Sequence, residues 1–173
     1  MASIPTTYRG IRMRSRLEAK WACVFDQLSW QWEYEPIDMD GWIPDFVIHA
    51  DPLILVDVKP IWAFDQKTGD KLLKAANPEE YELVILGAGP FSEEYDNCCI
   101  GWLMDDWSDG WELAVPMYPT IKPKVYGLAA GTAGWYKDRI TGNYDGDHDY
   151  NPMTLTDWQE IWAEATNSSQ WRP

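Results

Sequence analysis

Four consecutive apolar residues, Leu53-Ile54-Leu55-Val56, run directly into Asp57-Val58-Lys59. An unbroken apolar run of strand length is the pattern of a strand covered on both faces. Residues two apart on a strand share a face, so Asp57 and Lys59 project together from its end. Burying ions without partners costs several kcal/mol, so a charged pair in this position demands compensation. The chain must build a sheet covered on both sides that gathers its charges at one end, where a divalent cation would compensate them.

The flanking residues extend this frame. Pro44 forces Ile43 into an extended conformation, and Asp45 opens the apolar run Phe46-Val47-Ile48 as the first residue of a second strand. His49-Ala50-Asp51-Pro52 reads as a turn, so the two strands are expected to be antiparallel, with Asp45 and Asp57 at the same end of the sheet. Upstream, Gln31-Trp32-Glu33-Tyr34-Glu35 alternates polar and aromatic residues and stops at Pro36, a first strand followed by an Asp38-Met39-Asp40-Gly41 turn.

Before it, Leu17, Trp21, Val24, Phe25 and Leu28 make one apolar stripe and predict a helix from about Arg14 to Leu28. At about 100° per residue, Glu18 falls roughly 20° from Phe25, at the core margin. The competing reading makes Glu18 a surface acid paired with Arg14, although base before acid is the weaker orientation. Beyond Lys59, a polar stretch carrying Lys67, Lys71 and Lys74 predicts a helix over Asp70 to Ala76, stopped by Asn77-Pro78. Tyr81 to Gly87 then reads as a strand parallel to the Asp57 strand through a crossover.

Helix, three-strand meander, helix, strand, with Pro44-Asp45, Asp57-Val58-Lys59 and a helical Glu18, resembles the PD-(D/E)XK nuclease superfamily with its restriction-endonuclease-like αβββαβ core. The phrases Arg14-Ser15-Arg16-Leu17-Glu18-Ala19-Lys20-Trp21, Trp32-Glu33-Tyr34-Glu35-Pro36 and Pro44-Asp45-Phe46 are similar to those of nuclease-like proteins encoded by bacteriophages and, more distantly, of transposon-end endonucleases. The resemblance covers residues 8–90. It implies a Mg²⁺-dependent phosphodiesterase, a deoxyribonuclease of endonuclease type, in which Asp45, Asp57 and the Val58 carbonyl hold Mg²⁺ or Mn²⁺. Lys59 would position or deprotonate the attacking water, and Glu18 would reach the metal directly or through water. The expected division is a nuclease-like core over 1–115 and a Trp-rich, acidic C-terminal extension over 116–173 packed on it.

The net charge of −14 bears on the partner. Arg9, Arg12, Arg14, Arg16 and Lys20 are five bases against Glu18 in the first twenty residues, a balance of +4, and make that region the expected nucleic-acid face. Glu93 to Glu112 holds seven acids and no base: a solvated acidic face, or a docking surface for a basic protein partner. Two classes of function therefore stay open: the nuclease, and an acidic binding module that occupies a nucleic-acid-binding protein. A homodimer is compatible with either.

The remaining signals are structural. Cys23, Cys98 and Cys99 form neither a disulfide framework nor a zinc spacing. Trp102, Trp107 and Trp111 alternate with acids in an expected hairpin around Ser108-Asp109-Gly110 and read as packing rather than as base-stacking residues. Asp145-Gly146-Asp147-His148-Asp149 lacks the Gly and Glu of a calcium loop, since Tyr150 and Thr156 stand in those places. His49 reads as a turn residue, and Gly87-Ala88-Gly89 completes no nucleotide-binding motif. Thr156 to Gln159 reads as a capping box opening a helix with Trp158, Ile161, Trp162 and Ala165 on one face, and Ser168 to Trp171 as a tethered tail. Met1 to Tyr8 has no apolar signal run and no window is long and apolar enough to span a bilayer, so no membrane and a cytoplasmic location are expected, host-cell cytoplasm for a phage-encoded chain.

Overall fold

The computed structural model describes residues 3–92, 97–106, 108, 110–120, 122–131, 136–142, 144–145 and 151–170. It opens with a hairpin, β1 (Thr6–Tyr8) and β2 (Ile11–Met13), that was not expected from the sequence. Its two-residue turn places Arg9 and Gly10 at φ 49° and 81°, the doubly positive geometry that matches strand twist. Helix α1 (Arg16–Gln27) follows, with Ser15 as N-cap accepting from the Glu18 amide at 3.1 Å. Then come β3 (Trp32–Tyr34), β4 (Phe46–Ile48), β5 (Ile54–Val58), helix α2 (Gln66–Ala75) and β6 (Glu82–Phe91). The chain continues through β7 (Cys99–Asp105), β8 (Gly110–Met117), β9 (Gly127–Ala130), the short pair β10 (Tyr136–Lys137) and β11 (Tyr144–Asp145), and helix α3 (Leu155–Ser168).

A seven-stranded sheet runs in the order β3-β4-β5-β6-β7-β8-β9. Its neighbours are antiparallel except β5 and β6, the parallel pair joined through α2, as a crossover requires. The fold is therefore mixed α/β with a large, mostly antiparallel sheet. Side-chain alternation along β5 splits the core. Ile54, Val56 and Val58 join Trp21, Phe25 and Phe46 under α1 and α3, whereas Leu55 joins Val47, Leu83 and Ile85 under Leu72 of α2. Covering both faces explains why β5 is buried at every position.

Several boundaries differ from expectation for local reasons. Helix α2 begins at Gln66, four residues before Asp70, because the Asp65 carboxylate caps it, accepting from the Thr68 amide at 3.0 Å and the Thr68 hydroxyl at 2.6 Å. Strand β6 continues past Gly87 to Phe91, with a register irregularity between Leu86 and Phe91. The α3 cap is Thr154, whose Oγ1 accepts from the Asp157 amide at 3.2 Å, rather than Thr156. Ser169, expected in a tethered tail, is buried as the α3 C-cap.

The 115/116 boundary falls inside β8, whose residues Ala114 to Met117 pair with β9. The segment after it supplies the last strand of the sheet and the helix whose Trp158 lies 6.4 Å from Trp21. Asp105, read as part of a solvated acidic face, is buried and bonded at 2.7 Å to the buried Arg139 guanidinium, which also binds Glu82 at 2.5 Å. Glu93, Glu94, Asp96, Trp107, Asp109, Asp147, His148 and Asp149 lie outside the described residues. Among the described residues no helix is long and apolar enough to cross a membrane.

Candidate active site

Antiparallel register places Phe46 opposite Val56, so Asp45 stands across from Asp57 one step further along. The local reason is Pro44 before β4 and the apolar run that buries β5 up to its charged end. Both carboxylates are buried, at 3% and 4% exposure. Asp57 Oδ2 binds Lys59 Nζ at 2.6 Å and its Oδ1 accepts from Trp42 Nε1 at 3.2 Å. Lys59 thus shares the Asp57 face, as strand alternation requires.

Asp45 Oδ2 accepts from the Val58 amide at 2.7 Å. Its Oδ1 takes the Arg14 guanidinium at 2.5 Å, and the same Arg14 Nη2 binds Glu35 at 2.6 Å. Glu18 is buried on the first turn of α1. Its Oε1 accepts from the Ser15 hydroxyl at 2.8 Å, and its Oε2 from the Tyr34 hydroxyl at 2.6 Å and the Arg14 amide at 3.1 Å. The surface pairing of Glu18 with the Arg14 side chain does not form; Arg14 turns to Asp45 and Glu35 instead.

Two cavities meet at these groups. One, of about 520 Å³, is lined by Ile4, Arg14, Arg16, Glu18, Asp45 and Lys59 among others. The second holds Asp45, Asp57, Lys59, Trp42 and Lys71, with Arg14, Asp45 and Lys59 common to both. Glu18 and Asp57 therefore approach Asp45 from opposite sides.

Burial pushes the Asp45 carboxyl up to about 6; the Asp57 and Glu18 charges push the same way, against the Val58 hydrogen bond and Lys59. Burial and the hydrogen bond to Glu18 push the Tyr34 hydroxyl up to about 12, so it stays a donor at neutral pH. Burial works to lower the Arg14 pKa, but Tyr34, Asp45 and Glu35 outweigh it and raise it, so Arg14 keeps its charge.

The basic residues expected to share one face are split. Arg9 pairs with Asp26 at 3.0 Å beside a separate cavity lined by Trp32, Glu33 and His49. Arg12 is exposed on the hairpin, Arg16 lines the site, and Lys20 stands 5.4 Å over the Trp162 ring. Sequence reasoning passed over Ser15, Tyr34, Glu35 and Trp42 as site partners. One signal was readable: Ser15-Arg16-Leu17-Glu18 is a capping box, which gives Glu18 a helix-opening role as well.

Among the described residues no three His, Cys, Asp or Glu side chains converge closely enough to hold a metal ion as they stand. The donor chemistry nonetheless fits a hard divalent cation: buried carboxylate oxygens, with like charges that raise Asp45 and that a cation would relieve. Arg14 already supplies positive charge to Asp45 and Glu35, and Lys59 to Asp57. A metal at Asp45 requires the Arg14 guanidinium to yield that oxygen.

No family model, no curated protein and no solved structure matches the chain.

Proposed function

We propose that this chain is a metal-dependent phosphodiesterase that hydrolyses DNA, built on a restriction-endonuclease-like core of α1, β3, β4, β5, α2 and β6. The observation that carries this reading is Asp45 opposite Asp57 on neighbouring strands, with Lys59 Nζ 2.6 Å from Asp57 at the open end of the sheet. Asp45, Asp57 and the Val58 carbonyl would hold Mg²⁺ or Mn²⁺, with Glu18 reaching it from the α1 side. Bound there, the cation would polarise the scissile phosphate and lower the pKa of a water.

The chain's own residues do the rest. Asp57 anchors the Lys59 ammonium, which positions the attacking water and offsets phosphate charge. Tyr34 and Ser15 fix the Glu18 carboxylate, and Trp42 fixes Asp57, so the acids keep their orientation without substrate. Arg14, freed from Asp45, stays tethered to Glu35 within reach of a phosphate oxygen.

Incubation with linear, circular, single-stranded and branched DNA in Mg²⁺, Mn²⁺ or EDTA tests this. Cleavage should require metal and be lost in Asp57→Ala and Lys59→Ala while the fold persists. Cleavage undiminished in Asp57→Ala would sink the site assignment. Absence of cleavage in every metal returns the protein to the acidic binding module, a reading weakened by the burial of Asp105 against Arg139.

A further inference from the structure

Lys59 is followed by Pro60-Ile61-Trp62, and Trp62 is 63% exposed, more than the other exposed large apolar side chains Ile4, Ile43 and Ile11. A tryptophan is on average highly buried, so an indole left largely in water three positions after Lys59 offers a free stacking face. Its ring tip, Cη2, lies 3.2 Å from where a Cβ on Gly89 would stand, and Trp162 Cζ2 reaches the same point at 3.2 Å. Two indoles therefore converge over a glycine that leaves them room. Trp162 carries the Lys20 ammonium 5.4 Å above its ring. Arg16 lies one helical turn before Lys20 and lines the cavity that holds Glu18, Asp45 and Lys59.

Charge placement sharpens the pattern. Among the described residues Arg16 and Lys20 make no ion pair, as is also true of Arg12 and of the lysines of α2, but Arg16 lines the acid-bearing cavity and Lys20 lies one turn further along the same helix. In a chain of net charge −14, Arg16 at the cavity and Lys20 over the Trp162 ring put two positive charges on the same helix beside the acids, a place where an anion from outside is favoured. Cations interleaved with aromatic faces are what an unpaired nucleic-acid strand uses: phosphates on the bases of the groove, bases on its rings.

We propose that Trp62, braced by the half-buried Trp162 and flanked by Arg16 and Lys20, forms a stacking platform for unpaired nucleotides next to the cut bond, which makes the preferred substrate a single strand, a frayed end or a branch rather than an intact duplex. Bases inside a duplex stack on each other and offer no free face to an indole; unpaired bases do. Two residues, Pro60 and Ile61, separate Trp62 from Lys59, at most about 10 Å between their Cα atoms, so the stacked base lies a few nucleotides from the phosphate that Lys59 would meet. This substrate class rests on the phosphodiesterase reading, but the platform can be tested without turnover.

Binding of labelled oligothymidylate and of a blunt duplex of equal length is measured by fluorescence anisotropy in EDTA for the wild type, Trp62→Ala and Trp62→Phe. Trp62→Ala should weaken oligothymidylate binding by about tenfold or more, the effect of removing one base–aromatic stack, with duplex binding unchanged and Trp62→Phe close to wild type. An unchanged melting temperature checks that the exposed site tolerates the change. Equal losses on both ligands, or none on either, overturn the platform; failure of the wild type to bind oligothymidylate overturns it too and leaves Trp62 for a protein partner. Trp62-dependent strand binding without cleavage in any metal keeps the platform and sinks the phosphodiesterase, whereas duplex cleavage with Trp62-indifferent binding does the reverse.

Discussion

The Asp45 carboxylate is almost wholly buried where two cavities meet, and the charges of Asp57 and Glu18 both act on it. With burial pushing its pKa to about 6, the folded protein holds this proton more tightly than the unfolded chain, whose aspartates titrate near about 3.9. The stability that protonated Asp45 contributes is thus fully present below about pH 4 and is lost as pH rises through about 6. A shift of two units corresponds to about 3 kcal/mol. In urea unfolding with EDTA, the wild type should lose up to about 3 kcal/mol relative to Asp45→Asn between pH 4 and 7.5. A difference between the two proteins that stays flat over this range removes the claim. A buried acid that is costly when ionised is what a site awaiting a cation would retain.

Helix α2 shows packing overruling propensity. Gly69 lies in its interior, where alanine would ordinarily gain about 1 kcal/mol. A Cβ at this position would stand 2.8 Å from both Phe64 Cζ and Trp111 Nε1. Neither ring has room to give, since Phe64 packs on Trp111 at 5.7 Å and on Trp102 at 6.0 Å. Overpacking costs about 1–3 kcal/mol, so Gly69→Ala should destabilise by about 1 kcal/mol net in chemical denaturation. A stabilised variant would show that α2 can move off the sheet. The same closeness fixes α2, and with it Lys71, over the cavity that holds Asp57 and Lys59.

Across the whole molecule the charges sort by burial rather than by position in sequence. Glu82 at the start of β6, Asp105 at the end of β7 and Arg139 after β10 close a buried network beside Ile54, at the opposite end of β5 from Asp57, tying the late chain to the early sheet. Removing one partner of a buried pair leaves an uncompensated ion. Asp105→Ala should therefore cost about 3 kcal/mol or more, whereas its exposed neighbour Asp106→Ala should stay within about 0.5 kcal/mol. Equal effects in thermal unfolding would return Asp105 to the solvated face suggested by its acidic surroundings. Because β8 and β9 complete the sheet and α3 packs on α1, the segment after residue 115 is expected to unfold with the rest, in one transition.

What the sequence by itself determined is whatever follows from local period and turn chemistry. The apolar run of β5, the Pro44 break and the turn before Leu53 sufficed to put Asp45 and Asp57 at one end of an antiparallel pair, and alternation put Lys59 beside Asp57. Tertiary structure alone decided which distant groups meet. Arg14 lies 31 residues from the Asp45 that it binds, and Arg139 lies 34 from Asp105, separations over which no periodicity carries information. The extent of the sheet beyond β6, the burial of Asp105 and the meeting of Trp62 with Trp162 over Gly89 depend on how separate elements pack. Side-chain period is set by neighbours on the chain, whereas pairing of ions and rings is set by the closure of the fold.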